Sequence, residues 1–134
     1  MKRTETKTAP DFRFGLLLSA VLHEPEKVPA MVKADPSILE VTNLTDETVL
    51  HYLAIEGHTE GIQLLRSLGA EISSWALLHA LQAGQTDTVV LLLELGADPV
   101  ASDCERSLDN PIWGLTKKQK RLFRSYLTQY GYGT

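Results

Sequence analysis

The sequence holds a single cysteine, Cys104, in 134 residues. One thiol closes no disulfide within the chain and builds no thiolate metal cage by itself, so a reducing compartment is its natural setting. Long apolar runs are also missing. The longest, Val89 to Leu93, falls far short of the roughly 20 residues that span a bilayer. A secretory leader needs a basic start free of acids and a small-residue cleavage site. Glu5 and Asp11 interrupt the first, and His23-Glu24-Pro25 stands where the second belongs. A cytoplasmic chain is expected. The nine glycines are scattered, so no phosphate-cradling loop exists.

The composition that remains is ordinary for a globular domain, with 43% hydrophobic and 22% charged residues and a net charge of −4. Leucine dominates, and the apolar positions recur at helical spacing rather than in alternation. Ile62, Leu65 and Leu68 step by three beside Leu64, and Val89, Leu92 and Leu95 do so beside Leu91. Gly69 and Gly96 follow where a left-handed cap would end each helix. Placed one beneath the other, Thr48–Ile72 and Trp75–Pro99 hold a constant offset of 27 residues. Leu50 falls on Leu77, Gly57 on Gly84, Ile62 on Val89, Leu64-Leu65 on Leu91-Leu92, and Gly69-Ala70 on Gly96-Ala97. The chain is an internal repeat of short helices.

This unit resembles the ankyrin repeat, T-P-L-H-x-A-A-x-x-G-H-x-E-[IV]-V-x-L-L-L-x-x-G-A-D. Thr48, Leu50, His51, Ala54, Gly57, His58, Glu60, Ile62, Leu64, Leu65, Gly69 and Ala70 match that pattern. So do Leu77, Ala80, Gly84, Val89, Leu91 to Leu93 and Gly96-Ala97-Asp98 one unit later. Phe14 to Pro36 and the stretch from Asn110-Pro111-Ile112-Trp113 read as degenerate copies, as terminal units that turn a face to water tend to be. The resemblance implies an all-α, ankyrin-type helical-hairpin solenoid with short β-turn or finger connections. Its units run over about 12–36, 44–72, 73–99 and 106–130, between an arm at 1–11 and a tail at 131–134.

Local chemistry fits that frame. Thr48 and Asn110 can cap helices, Pro111 suits a first helical position, and Thr116 with Gln119 spells a capping box. The final helix carries an apolar stripe of Leu122, Phe123, Tyr126, Leu127 and Tyr130 amid five cations. A full unit has about 33 residues, so the middle offset of 27 is short. The hairpin finger between Ile72 and Trp75 should shrink to a turn at Ser73-Ser74. Trp75, in the capping Thr position, is expected to fill the space. The segments 37–47 and 100–109 are long enough to keep a finger. Leu64 and Leu91 are expected in the core.

Candidate chemistry is sparse. His51, His58 and His79 invite a metal site, yet no Asp or Cys supplies zinc spacing, and the resemblance gives His51 and His58 the family's structural role of bonding between units. Cys104 would be a nucleophile only with a base positioned on it, and a lone loop thiol carries no such signal; Asp46-Glu47 is an adjacent, solvated pair. No catalytic residue, cofactor or metal is expected, and the chain reads as a non-enzyme.

Charge says more. Residues 35–109 hold 13 acids against Arg66 and Arg106, whereas residues 110–134 hold five bases and no acid. An acidic centre steers a basic protein partner. The basic last helix suggests nucleic acid, but its tyrosines lie on the apolar stripe and the acidic body would repel a long polyanion. The resemblance implies a protein-binding module, a monomer when alone, that engages its partner through the concave side. The positions assigned there are Ile55, Glu56, Gln82 and Ala83, bordered by Tyr52 and His79, with Asp46, Glu47, Glu105 and Arg106 from the fingers. The alternative on the same surface is a stoichiometric inhibitor or immunity-type protein whose acidic face blocks a basic site.

Overall fold

A computed structural model describes residues 11–99 and 108–130. Seven α-helices lie among them: α1 (Phe12–His23), α2 (Val28–Ala34), α3 (Val49–Glu56), α4 (Thr59–Ser67), α5 (Ser74–Gln82), α6 (Thr86–Glu94) and α7 (Lys117–Gln129). Short 3-10 turns at Pro25–Lys27, Pro36–Glu40 and Pro111–Trp113 each begin on proline, whose fixed φ suits a first helical position. The described residues contain no strand, only one antiparallel bridge from Thr42 to Thr48. The fold is an all-α helical repeat.

The chain forms two compact units, Met1–Tyr52 with Glu60–Glu71, and Leu53–Thr59 with Ile72–Thr134. In the first, α1 packs on α2, and both meet the 3-10 turn at Pro36–Glu40. Leu17, Val21, Val28, Val32 and Ile38 are buried there. The entrance to α1 is tied down electrostatically. Asp11 caps the helix by accepting from the Arg13 amide at 3.0 Å, and the Arg13 guanidinium reaches Asp11 at 2.7 Å and Asp35 at 2.9 Å. Ser37 donates to Asp35 at 2.7 Å. Hydrogen bonding to Arg13 lowers the Asp11 carboxyl, and bonds from Ser37 and then Arg13 lower that of Asp35.

In the second unit α5 packs on α6, and α6 on α7. Leu77, Leu81, Val89, Leu92, Phe123 and Leu127 are fully buried. Thr116 and Gln119 form the expected capping box on α7, and Asn110 caps its turn by accepting from the Ile112 amide. Ahead of α7 the described residues from Leu108 hold the 3-10 turn Pro111–Trp113, closed by Gly114 in a left-handed conformation.

Three local expectations change. Trp75 is 58% exposed and fills no interior space; its ring leans against His79 instead. The cap missing at Trp75 is restored two residues earlier, where the Ser73 hydroxyl accepts from the Ala76 amide, so Ser74 already belongs to α5. Leu64 is only half-buried, and its neighbour Leu65 takes the core position, whereas Leu91 is buried as expected.

Candidate protein-binding surface

In the first unit the finger is one candidate element. Asn43 organises residues 43–47 through one side chain. Its Oδ1 accepts from the amides of Thr45 and Glu47, both at 3.0 Å, and from the Thr45 hydroxyl at 2.9 Å. Its Nδ2 donates to Glu47 Oε1 at 3.1 Å. Asp46 turns the chain with a φ of 67°, a conformation that Asn and Asp tolerate better than other side-chain-bearing residues. Segment 37–47 therefore keeps a hairpin tip, with Asp46 exposed and Glu47 half-buried. On α3, Tyr52 is half-buried, edge-on to Phe14 with ring centroids 6.0 Å apart.

In the second unit the ends of two first helices are fastened together. The Gln85 side chain donates from Nε2 to the Ile55 carbonyl at 2.9 Å. Its Oε1 occupies the space that a Cβ on Gly57 would need. Gly57 and Gly84 both turn with positive φ, at 77° and 71°, where a side chain is strained. Gln85 aligns with His58 in the 27-residue offset. The bond between repeats that the resemblance gives to histidine is thus made here by an amide. Beside this fastening, Glu56 and Ala83 are exposed, while Ile55, His79 and Gln82 are half-buried.

The family model for ankyrin repeats (three copies) matches residues 16–103. The chain belongs to the ankyrin-repeat family. Ankyrin repeats are generally protein–protein interaction modules and are typically non-enzymatic. The match leaves out the segment from Asn110 onward, where the described residues hold the 3-10 turn Pro111–Trp113 and α7. No curated protein and no solved structure gives a significant match to the chain.

Of the residues assigned to the surface from sequence, Asp46, Glu56 and Ala83 are exposed and Glu47, Tyr52, Ile55, His79 and Gln82 are half-buried. Glu105 and Arg106 lie outside the described residues, with most of the segment expected to form the second finger. Trp75 is absent from the positions assigned to the surface, although it is the most exposed aromatic among the described residues of the second unit. No helix among the described residues is long and apolar enough to cross a membrane.

Proposed function

We propose that this ankyrin-repeat chain is a non-catalytic module that binds a basic protein partner through the ends of two first helices, Ile55-Glu56 and Gln82-Ala83. What carries the reading is the fastening of the Ile55-Glu56 end to the Gln82-Ala83 end by Gln85. It fixes exposed side chains that the repeat itself does not use, and a preorganised surface spends less free energy on ordering when it binds. The 13 acids of residues 35–109 give the partner its sign. The single cysteine suits a reducing cytoplasm, and the module acts as a monomer.

The test compares what the wild-type chain and a Glu56→Lys/Ala83→Lys variant each retain from a lysate, at two salt concentrations. A basic protein held by the wild type and lost by the folded variant supports the reading; equal retention removes it. The partner's nature then separates adaptor from inhibitor. An enzyme silenced at one-to-one stoichiometry makes the module an inhibitor, and a partner that keeps its activity makes it an adaptor.

A further inference from the structure

The last helix breaks a rule that its counterparts follow. In α4 an acid, Glu60, stands in the first turn and a base, Arg66, in the last; α6 likewise places Asp87 in its first turn. That order complements the partial positive charge at a helix N-terminus and the negative charge at its C-terminus. α7 does the reverse. Lys117, Lys118, Lys120 and Arg121 crowd its first turns, with no acid in the first turn and no base in the last. Folding alone would avoid this arrangement, and a local rule broken without gain to the fold marks a surface used for something else.

Among the described residues, only part of this charge is answered. Asp109 accepts from Arg124 at 2.8 Å and lies 4.0 Å from the Lys120 ammonium. Lys117, Lys118 and Arg121 are exposed, and no ion pair engages them among the described residues. Helical periodicity sets these three on one side with Ser125, Thr128 and Gln129, all exposed, so the face contains no acid. Leu122 borders it, and Ile112, on the turn leading into the helix, is 86% exposed.

We infer that this face of α7 is a second docking surface, which takes an acidic protein segment carrying Asp or Glu next to an apolar residue. Charge complementarity sets the sign, and Ile112 with Leu122 supplies the apolar contact. Lys117 to Arg121 spans only about 6 Å of helix axis, which suits a few carboxylates. A nucleic-acid strand is held along a groove with aromatic platforms, and here Tyr126 and Tyr130 are half-buried on the side of Phe123 and Leu127. An anionic membrane would meet the chain's net charge of −4 across a broad plane. A short peptide meets only the charges within about 8 Å, the screening length at physiological salt. This face differs in charge sign from the surface proposed for a basic partner, and it would let the chain engage a second protein of opposite charge.

The probe is a fluorescein-labelled peptide of repeated Glu-Glu-Leu triplets, titrated into the full chain and followed by anisotropy at low and physiological salt. Binding should be saturable and should weaken with salt. It should fall at least about tenfold in Lys117→Glu/Lys118→Glu, as expected when charge-assisted contacts become repulsive. The same variant should melt at or above the wild-type midpoint, because it puts anions where the helix dipole favours them. Arg121→Gln, which changes charge without reversing it, should also lose affinity while keeping its helicity. Ile112→Ser should weaken binding without altering its salt dependence. Absence of peptide binding, undiminished binding by either α7 variant, or tighter binding of phosphatidylserine vesicles or oligouridylate than of the peptide would each overturn the proposal.

Discussion

Gln85 shows how one side chain can do two jobs in a repeat. Its Nε2 satisfies the Ile55 carbonyl, and its Oε1 closes over Gly57, whose φ of 77° already disfavours a side chain. Gly57→Ala should therefore cost about 2 kcal/mol or more, combining left-handed strain with displacement of a hydrogen bond worth about 1 kcal/mol. In a Gln85→Ala background the same change should cost less, and a double-mutant cycle by urea unfolding measures the difference. Additive costs would mean that the two residues do not meet. The carboxylates at the start of α1 make a prediction of a different kind. Asp11 is lowered by its bonds with Arg13, and Asp35 by its bonds with Ser37 and Arg13. A carboxyl lowered in the folded state adds stability that is complete above its unfolded value and disappears as the pH falls through its folded value. Stability should accordingly decline below about pH 4, the ordinary aspartate range. Arg13→Gln should flatten that decline. Both carboxylates are partly exposed, so added salt should shrink the effect. A decline of equal steepness in Arg13→Gln would deny the network this role.

At the scale of the helix, Leu64 and Leu65 separate two readings that periodicity cannot. Both match the repeat pattern, but Leu65 is almost fully buried and Leu64 half-exposed. Leu65→Ala should cost roughly 2–5 kcal/mol, as buried leucine truncations do, and Leu64→Ala clearly less. Chemical unfolding of both variants makes the comparison. The shortened connection before α5 gives a second test. Six hairpin residues inserted between Ile72 and Ser73 leave the Ser73 cap in place, and closing a longer surface loop costs little. The same insert after Ser73 separates the cap from the Ala76 amide and should lose about 1 kcal/mol more. Equal melting of the two insertion variants would mean that the Ser73 cap adds nothing. The helices, their glycine turns and the caps at Thr48, Asn110 and Thr116 are all legible in the sequence, because each depends on residues within a few positions. The shift of the cap to Ser73, the exposure of Trp75 and the bond from Gln85 to Ile55 were not. The first turns on a two-residue slip at the helix start, and the last joins residues 30 apart in the chain.

For the whole molecule, the segregation of charge along the chain carries the functional account. Acids dominate residues 35–109 and bases residues 110–134. The surface assigned from sequence was legible as a set of positions the repeat leaves free. Their exposure was not, since Tyr52 is half-buried against Phe14. Truncating Tyr52 would therefore mix lost packing with lost binding, and the exposed Glu56 and Ala83 are cleaner probes. The most direct measurement is the association rate of the basic partner at two ionic strengths. It is taken for the wild type, for Glu56→Lys/Ala83→Lys, and for Lys117→Glu/Lys118→Glu. Charges at an interface rim act mainly on encounter and are screened by salt. The account predicts slower association for the first variant, a deficit that narrows as salt is added, and no loss for the second. A partner that keeps full affinity for Glu56→Lys/Ala83→Lys and loses it for Lys117→Glu/Lys118→Glu would contradict the account and make α7 the principal binding surface.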